Sequence, residues 1–132
     1  MNKLKVLNFN LQKATNPSKL IHILNFAKSK KIQILCLTEF DLNHSTELNS
    51  IQVLLSNFDF KIELQSARHR TAIVYHSSLS VTTQNSFSIH NQFNPTANPY
   101  VSDITISFKE HELTIFSVYF PGYNNRYDNP FH

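Results

Sequence analysis

Residues 4–40 hold an apolar run, a capped helix and a second apolar run in immediate succession, and that order constrains the fold more than any other feature. LKVLNFNL, residues 4–11, is rich in residues suited to extended chain and stops at the polar breaker QKATNPS. Asn16 then offers a capping oxygen with Pro17 in the first turn, and Leu20, Ile21, Leu24 and Ala27 recur at helical spacing with Ile23 adjacent. Lys28, Lys30 and Lys31 suit the negative pole of the dipole, which predicts a helix over residues 17–29. KIQILCLTEF follows with almost no linker. Two strands joined this way are expected to lie parallel in a right-handed βαβ unit, within a sheet that is partly parallel and covered.

A second helix is predicted over residues 45–57, STELNSIQVLLSN, from a capping Ser or Thr and the apolar set Leu48, Ile51, Val53, Leu54 and Leu55. After it the pattern turns to short extended segments: FDFKIELQ, TAIVYHSS, LSVTTQNSFSI, PYVSDITISF and HELTIFSVYF. Their close spacing predicts antiparallel neighbours and hairpins, and the tail PGYNNRYDNPFH reads as loop. With 132 residues and no repeat or shift in composition, residues 1–132 are expected to form one α/β domain or a piece of one. The chain has a single glycine, Gly122, where about nine are usual, so left-handed positions are expected to fall mostly to asparagine.

Composition removes several function classes. A hydrophobic fraction of 41% with 16% charged residues is not that of a disordered chain. No apolar stretch approaches membrane-spanning length, and the N-terminus lacks a secretory pattern. The lone Cys36 can form neither an internal disulfide nor a cysteine zinc site, and it lies in a buried-strand run as a small core residue. An intracellular location, nucleus or cytoplasm, is the expectation. Seven histidines show no HxxxH or HExxH spacing, and neither a glycine-rich phosphate loop nor a GxSxG elbow is present, so no small-molecule cofactor is expected. The net charge is +3, with basic clusters KSKK and RHR that suit either a solvated surface or phosphate contacts.

Ligands in open α/β sheets bind beyond the carboxyl ends of parallel strands. There the first strand presents Asn10 and then Gln12, and the second presents Glu39 after Thr38. Parallel pairing makes Asn10 and Glu39 neighbours. A carboxylate beside amide oxygens suits Mg²⁺ or Mn²⁺, but Glu39 is equally placed to be the first solvated residue after a buried strand. Tyr119 closes a third apolar run just before Pro121, as a core-edge aromatic or as a site residue.

In order, these segments resemble the N-terminal part of the endonuclease/exonuclease/phosphatase superfamily, over residues 4–126. LKVLNFNLQ is similar to its opening strand, whose asparagine falls on Asn10. IQILCLTEF is similar to the strand that ends on the metal-binding glutamate, here Glu39. TAIVYHSSL resembles the following strand and LTIFSVYFP the Tyr-x-Pro segment, whose tyrosine falls on Tyr119. The Thr-Glu pair and SVYFP look most like the endonuclease domains of non-LTR retrotransposons. The resemblance implies a four-layer α-β-β-α sandwich with mixed sheets and Mg²⁺-dependent cleavage of phosphodiesters, with DNA as partner. It also implies that Glu39 holds the metal, aided by Asn10 and by Gln12 where many members carry Asp or Asn, and that Asn10 and Tyr119 orient the phosphate or the catalytic groups.

The departures set further expectations. The Gly-Asp-x-Asn and Ser-Asp-His motifs are absent, and RHR stands where glycines are usual. The chain is therefore expected to be an N-terminal fragment of such an enzyme and a very poor nuclease alone, since water activation needs a positioned base. An incomplete second sheet would expose an apolar face and an edge, so self-association is expected. A phosphatase of the same fold, and a non-catalytic remnant that binds nucleic acid or a protein partner, are the alternatives.

Overall fold

The computed structural model describes residues 3–12, 16–40, 45–63, 71–82 and 101–119, with the backbone alone for residues 45–48. The RHR cluster, Gly122 and the tail lie outside the described residues. Nine elements follow in order: β1 (Val6–Asn10), α1 (Pro17–Lys30), β2 (Ile34–Thr38), α2 (Ser45–Ser56), β3 (Phe60–Glu63), β4 (Thr71–His76), β5 (Ser80–Thr82), β6 (Val101–Phe108) and β7 (His111–Val118).

α1 starts where the sequence places it because the Asn16 side chain accepts the Lys19 N–H at 2.8 Å and Pro17 lacks a donor to leave unsatisfied. It ends at Lys31, whose left-handed backbone (φ 57°) returns its N–H to the carbonyls of Ala27 and Lys28. The buried stripe is Leu20, Ile23, Leu24 and Ala27. Ile23 therefore takes the core position, and Ile21 is exposed, contrary to the spacing expectation. Val53 of α2 is likewise exposed, whereas Ile51 and Leu55 are buried.

The first sheet has the order β1-β2-β4-β3, with β1 and β2 parallel and the remaining pairs antiparallel. The expected parallel pair and mixed sheet are present. β5, β6 and β7 form a second, antiparallel sheet. Alternation along the central strands divides the core between two clusters. Leu35, Leu37, Ala72 and Val74 face the helices and join Leu20, Leu24, Ile51 and Leu55. Ile34, Cys36 and Ile73 face the other way and meet Ile104 and Ile106 of the second sheet. The central strand β2 is buried on both faces, which explains its unbroken apolar run. Cys36 is the core residue it was read to be. A helix over the outer face of the second sheet, the fourth layer of the expectation, is not represented among the described residues.

Among the described residues the expectation about asparagine is not met. Positive φ falls on Gln12, Lys31, Glu39, Asp59, Lys109 and Glu110, and on no asparagine among the described residues. Tertiary demand overrides residue preference here, since Lys31 caps a helix and Lys109–Glu110 form the two-residue loop of the β6–β7 hairpin. Among the described residues no helix is long and apolar enough to cross a membrane.

Candidate functional site

β1 and β2 run in register from Val6 opposite Ile34 to Asn10 opposite Thr38, so their carboxyl ends finish level. The Leu11 N–H donates to the Thr38 carbonyl at 2.9 Å and extends the match one step further. Beyond that line both chains turn through a left-handed residue, Gln12 (φ 54°) on one and Glu39 (φ 51°) on the other. A residue with a Cβ resists that conformation by about 1–2 kcal/mol, so burial on either side must hold it.

At Glu39 the flanking residues show how. In an unbroken strand Phe40 would share the face of Cys36 and Thr38, toward the second sheet. The turn at Glu39 instead carries Phe40 into the helix-side cluster, where it is fully buried. Glu39 itself stays half-buried and reaches the second sheet, where the Tyr119 hydroxyl donates to its Oε1 at 3.2 Å. Two residues 80 positions apart are thus joined across the sheets at one end of the molecule.

Asn10 arrives at the same edge but turns elsewhere. Its Oδ1 accepts the Gln12 N–H at 2.7 Å, which stabilises the left-handed turn after β1. The Lys19 ammonium donates to the Leu11 carbonyl at 2.6 Å and ties that turn to α1. Leu11, fully buried, anchors it from below. Asn10 and Gln12 are both solvent-exposed. The structure therefore brings Glu39 and Tyr119 into contact and aligns Asn10 beside them in the sheet register.

The donor set is one carboxylate and one exposed amide oxygen, with a phenol on the carboxylate. No group of three His, Cys, Asp or Glu side chains suited to a metal occurs among the described residues. That set fits Mg²⁺ or Mn²⁺, which are commonly held by one or two carboxylates with water and phosphate in the other positions, and it does not fit zinc.

Three residues beneath the site, Thr71, Ser102 and Ser117, were not singled out in the sequence, where Thr38 was named beside Glu39. Thr38, Thr71, Ser102 and Ser117 are buried hydroxyls at the same end of the inter-sheet core. Alternation alone signals two of them, since Ser102 shares a face with Ile104 and Ile106, and Ser117 with Ile115.

No family model and no curated protein matches the sequence. Solved structures do. The chain is similar to the endonuclease domain of TRAS1, a telomere-specific non-LTR retrotransposon, with a TM-score of 0.57 and 19% identity over 89% of this chain and 46% of that one. It is also similar to D. rerio TDP2 humanized by 14 mutations, with a TM-score of 0.58 and 13% identity over 86% of this chain and 45% of that one. At such identities the likeness is one of fold alone. The chain spans about half the length of the solved chains it matches.

Proposed function

We propose that the chain is the N-terminal, metal-holding part of a Mg²⁺-dependent phosphodiesterase, of the retrotransposon DNA-endonuclease type. The observation that carries this reading is the Tyr119–Glu39 hydrogen bond at the carboxyl end of β2, in a fold shared with a retrotransposon endonuclease domain. Glu39 would hold Mg²⁺ or Mn²⁺, with Asn10 and Gln12 supplying neutral oxygens. When bound, the cation polarises the scissile phosphate and offsets its developing charge.

The chain's own residues supply orientation. Tyr119 fixes one carboxylate oxygen of Glu39. The Asn10 amide, restrained by Gln12 N–H, would present its N–H groups at the same edge, where a phosphate oxygen can accept from them. The motifs that supply the water-activating side chains in that family, Gly-Asp-x-Asn and Ser-Asp-His, do not occur in these 132 residues. Turnover by the chain as it stands is therefore very slow.

Nicking of supercoiled DNA under Mg²⁺, with the protein in large excess, tests the proposal. The expected result is weak, chelator-sensitive nicking that falls at least about tenfold in Glu39→Ala. Equal nicking by both proteins would remove Glu39 from the site. Release of phosphate from soluble esters without nicking would point to the phosphatase chemistry of the same fold.

A further inference from the structure

The core between the sheets is aliphatic along most of its length, with Ile34, Cys36 and Ile73 packed on Ile104 and Ile106. At the end nearest Glu39 it changes character. Thr38 pairs with Thr71 in the first sheet, and Ser102 pairs with Ser117 in the second. All four are buried, Thr71, Ser102 and Ser117 to 2% exposure or less. The Ser102 hydroxyl donates to the Thr71 carbonyl at 3.1 Å and shares a 2.7 Å bond with the Thr71 hydroxyl. The Ser117 hydroxyl donates to the Leu37 carbonyl at 3.3 Å. Each of these bonds runs from one sheet to the other.

Apolar contacts between sheets are non-directional and leave a small lateral slip cheap, whereas hydrogen bonds fix both distance and angle. Burying hydroxyls carries a desolvation cost that valine or alanine would avoid, so a tier of them calls for a reason. Its position supplies one. Glu39 is the residue after Thr38, and Tyr119 is two residues after Ser117 on the same face of its strand. The Tyr119–Glu39 bond also spans the sheets, so its length depends on how they are registered at this end.

We infer that the Thr71–Ser102 and Ser117–Leu37 bonds form a clasp that fixes the sheet-to-sheet register beneath the site and so holds Tyr119 on Glu39. Ser102 and Ser117 are positioning residues. The purpose of the clasp rests on the phosphodiesterase reading; its geometry does not.

Fluorine NMR of the metal-free chain carrying fluorotyrosine tests the inference, with the Tyr119 resonance assigned by its loss in Tyr119→Phe. In Ser117→Ala that resonance moves in the direction produced by Glu39→Gln, and in Ser117→Thr, which restores the hydroxyl, it returns toward the wild-type position. An unchanged Tyr119 resonance in folded Ser117→Ala would overturn the clasp, even if stability fell. Should Ser117→Ala fail to fold, Ser102→Ala, which cuts the other bridge, is read by the same criterion. A parallel nicking assay separates the two ideas. Under the phosphodiesterase reading Ser117→Ala nicks about tenfold more slowly. If wild type and Glu39→Ala nick equally, that reading fails while the fluorine spectrum still decides the clasp.

Discussion

At the scale of single residues, the structure gives Glu39 and Cys36 opposite fates on one strand. Cys36 points into the inter-sheet core, and burial pushes its thiol from 9.0 up to about 11. The folded value lies above the unfolded one, so the group's contribution to stability is complete below pH about 9 and is lost as pH rises toward 11. The loss amounts to about 2–3 kcal/mol at most. Denaturant titrations across that window should show a steeper alkaline fall in wild type than in Cys36→Ala, whose stability lacks this term; identical slopes would contradict the burial argument. The fate of Cys36 was legible in the sequence because an unbroken apolar run needs no partner to be recognised. That Glu39 meets Tyr119 was not legible, since the resemblance named both as site residues without pairing them. Nothing local to ILCLTEF signals a left-handed turn at Glu39, since the turn is enforced by where Phe40 can be buried.

Among the elements, those specified by local chemistry match expectation best. The Asn16 cap, Pro17 and the stripe of α1 lie within one turn or two of each other, and Asn16→Ala should lower stability by about 1 kcal/mol in chemical denaturation. The choice of Ile23 over Ile21 was not legible, because both fit a 3.6-residue period and only the angle at which α1 meets β1 and β2 decides. The β6–β7 loop is a second case. Lys109 and Glu110 both carry positive φ where Asn-Gly is the usual solution, so Glu110→Gly should stabilise the chain by about 1 kcal/mol; a destabilised variant would contradict the assigned turn. Between elements, burial first and then the charge of Asp103 raise the carboxyl of Glu63 on β3, and burial and then Glu63 raise the phenol of Tyr75. The raised Glu63 value means that its contribution to stability is present at acid pH and lost as pH rises through that value. Glu63→Gln should therefore be more stable than wild type at pH about 7, with the advantage vanishing below the ordinary carboxyl range near 4.5.

For the whole molecule, the same layering that buries β2 leaves strands at the margins. Among the described residues β1 and β3 end the first sheet, β5 and β7 end the second, and β7 carries Leu113, Phe116 and Val118 at 39, 44 and 39% exposure. Apolar strand edges of this kind recruit further strands. Sedimentation velocity should show association that grows with concentration and is weakened by Val118→Lys, whereas a monomer at every concentration would contradict it. The parallel β1–β2 pair and the hairpins were legible from the order of strands and helices, whereas the division into two sheets came only from the family resemblance. The hydroxyl tier was not legible, since it exists only when strands distant in sequence are set in register. That tier, the kink at Glu39 and the reach of Tyr119 converge on one edge, the edge proposed above to hold a divalent cation. Titration of the chain with Mn²⁺, followed by water-proton relaxation, tests that proposal most directly with Glu63→Gln as the control carboxylate. One saturable site is expected in wild type and in Glu63→Gln, weakened at least about tenfold in Glu39→Gln. Equal Mn²⁺ affinity in wild type and Glu39→Gln would contradict it.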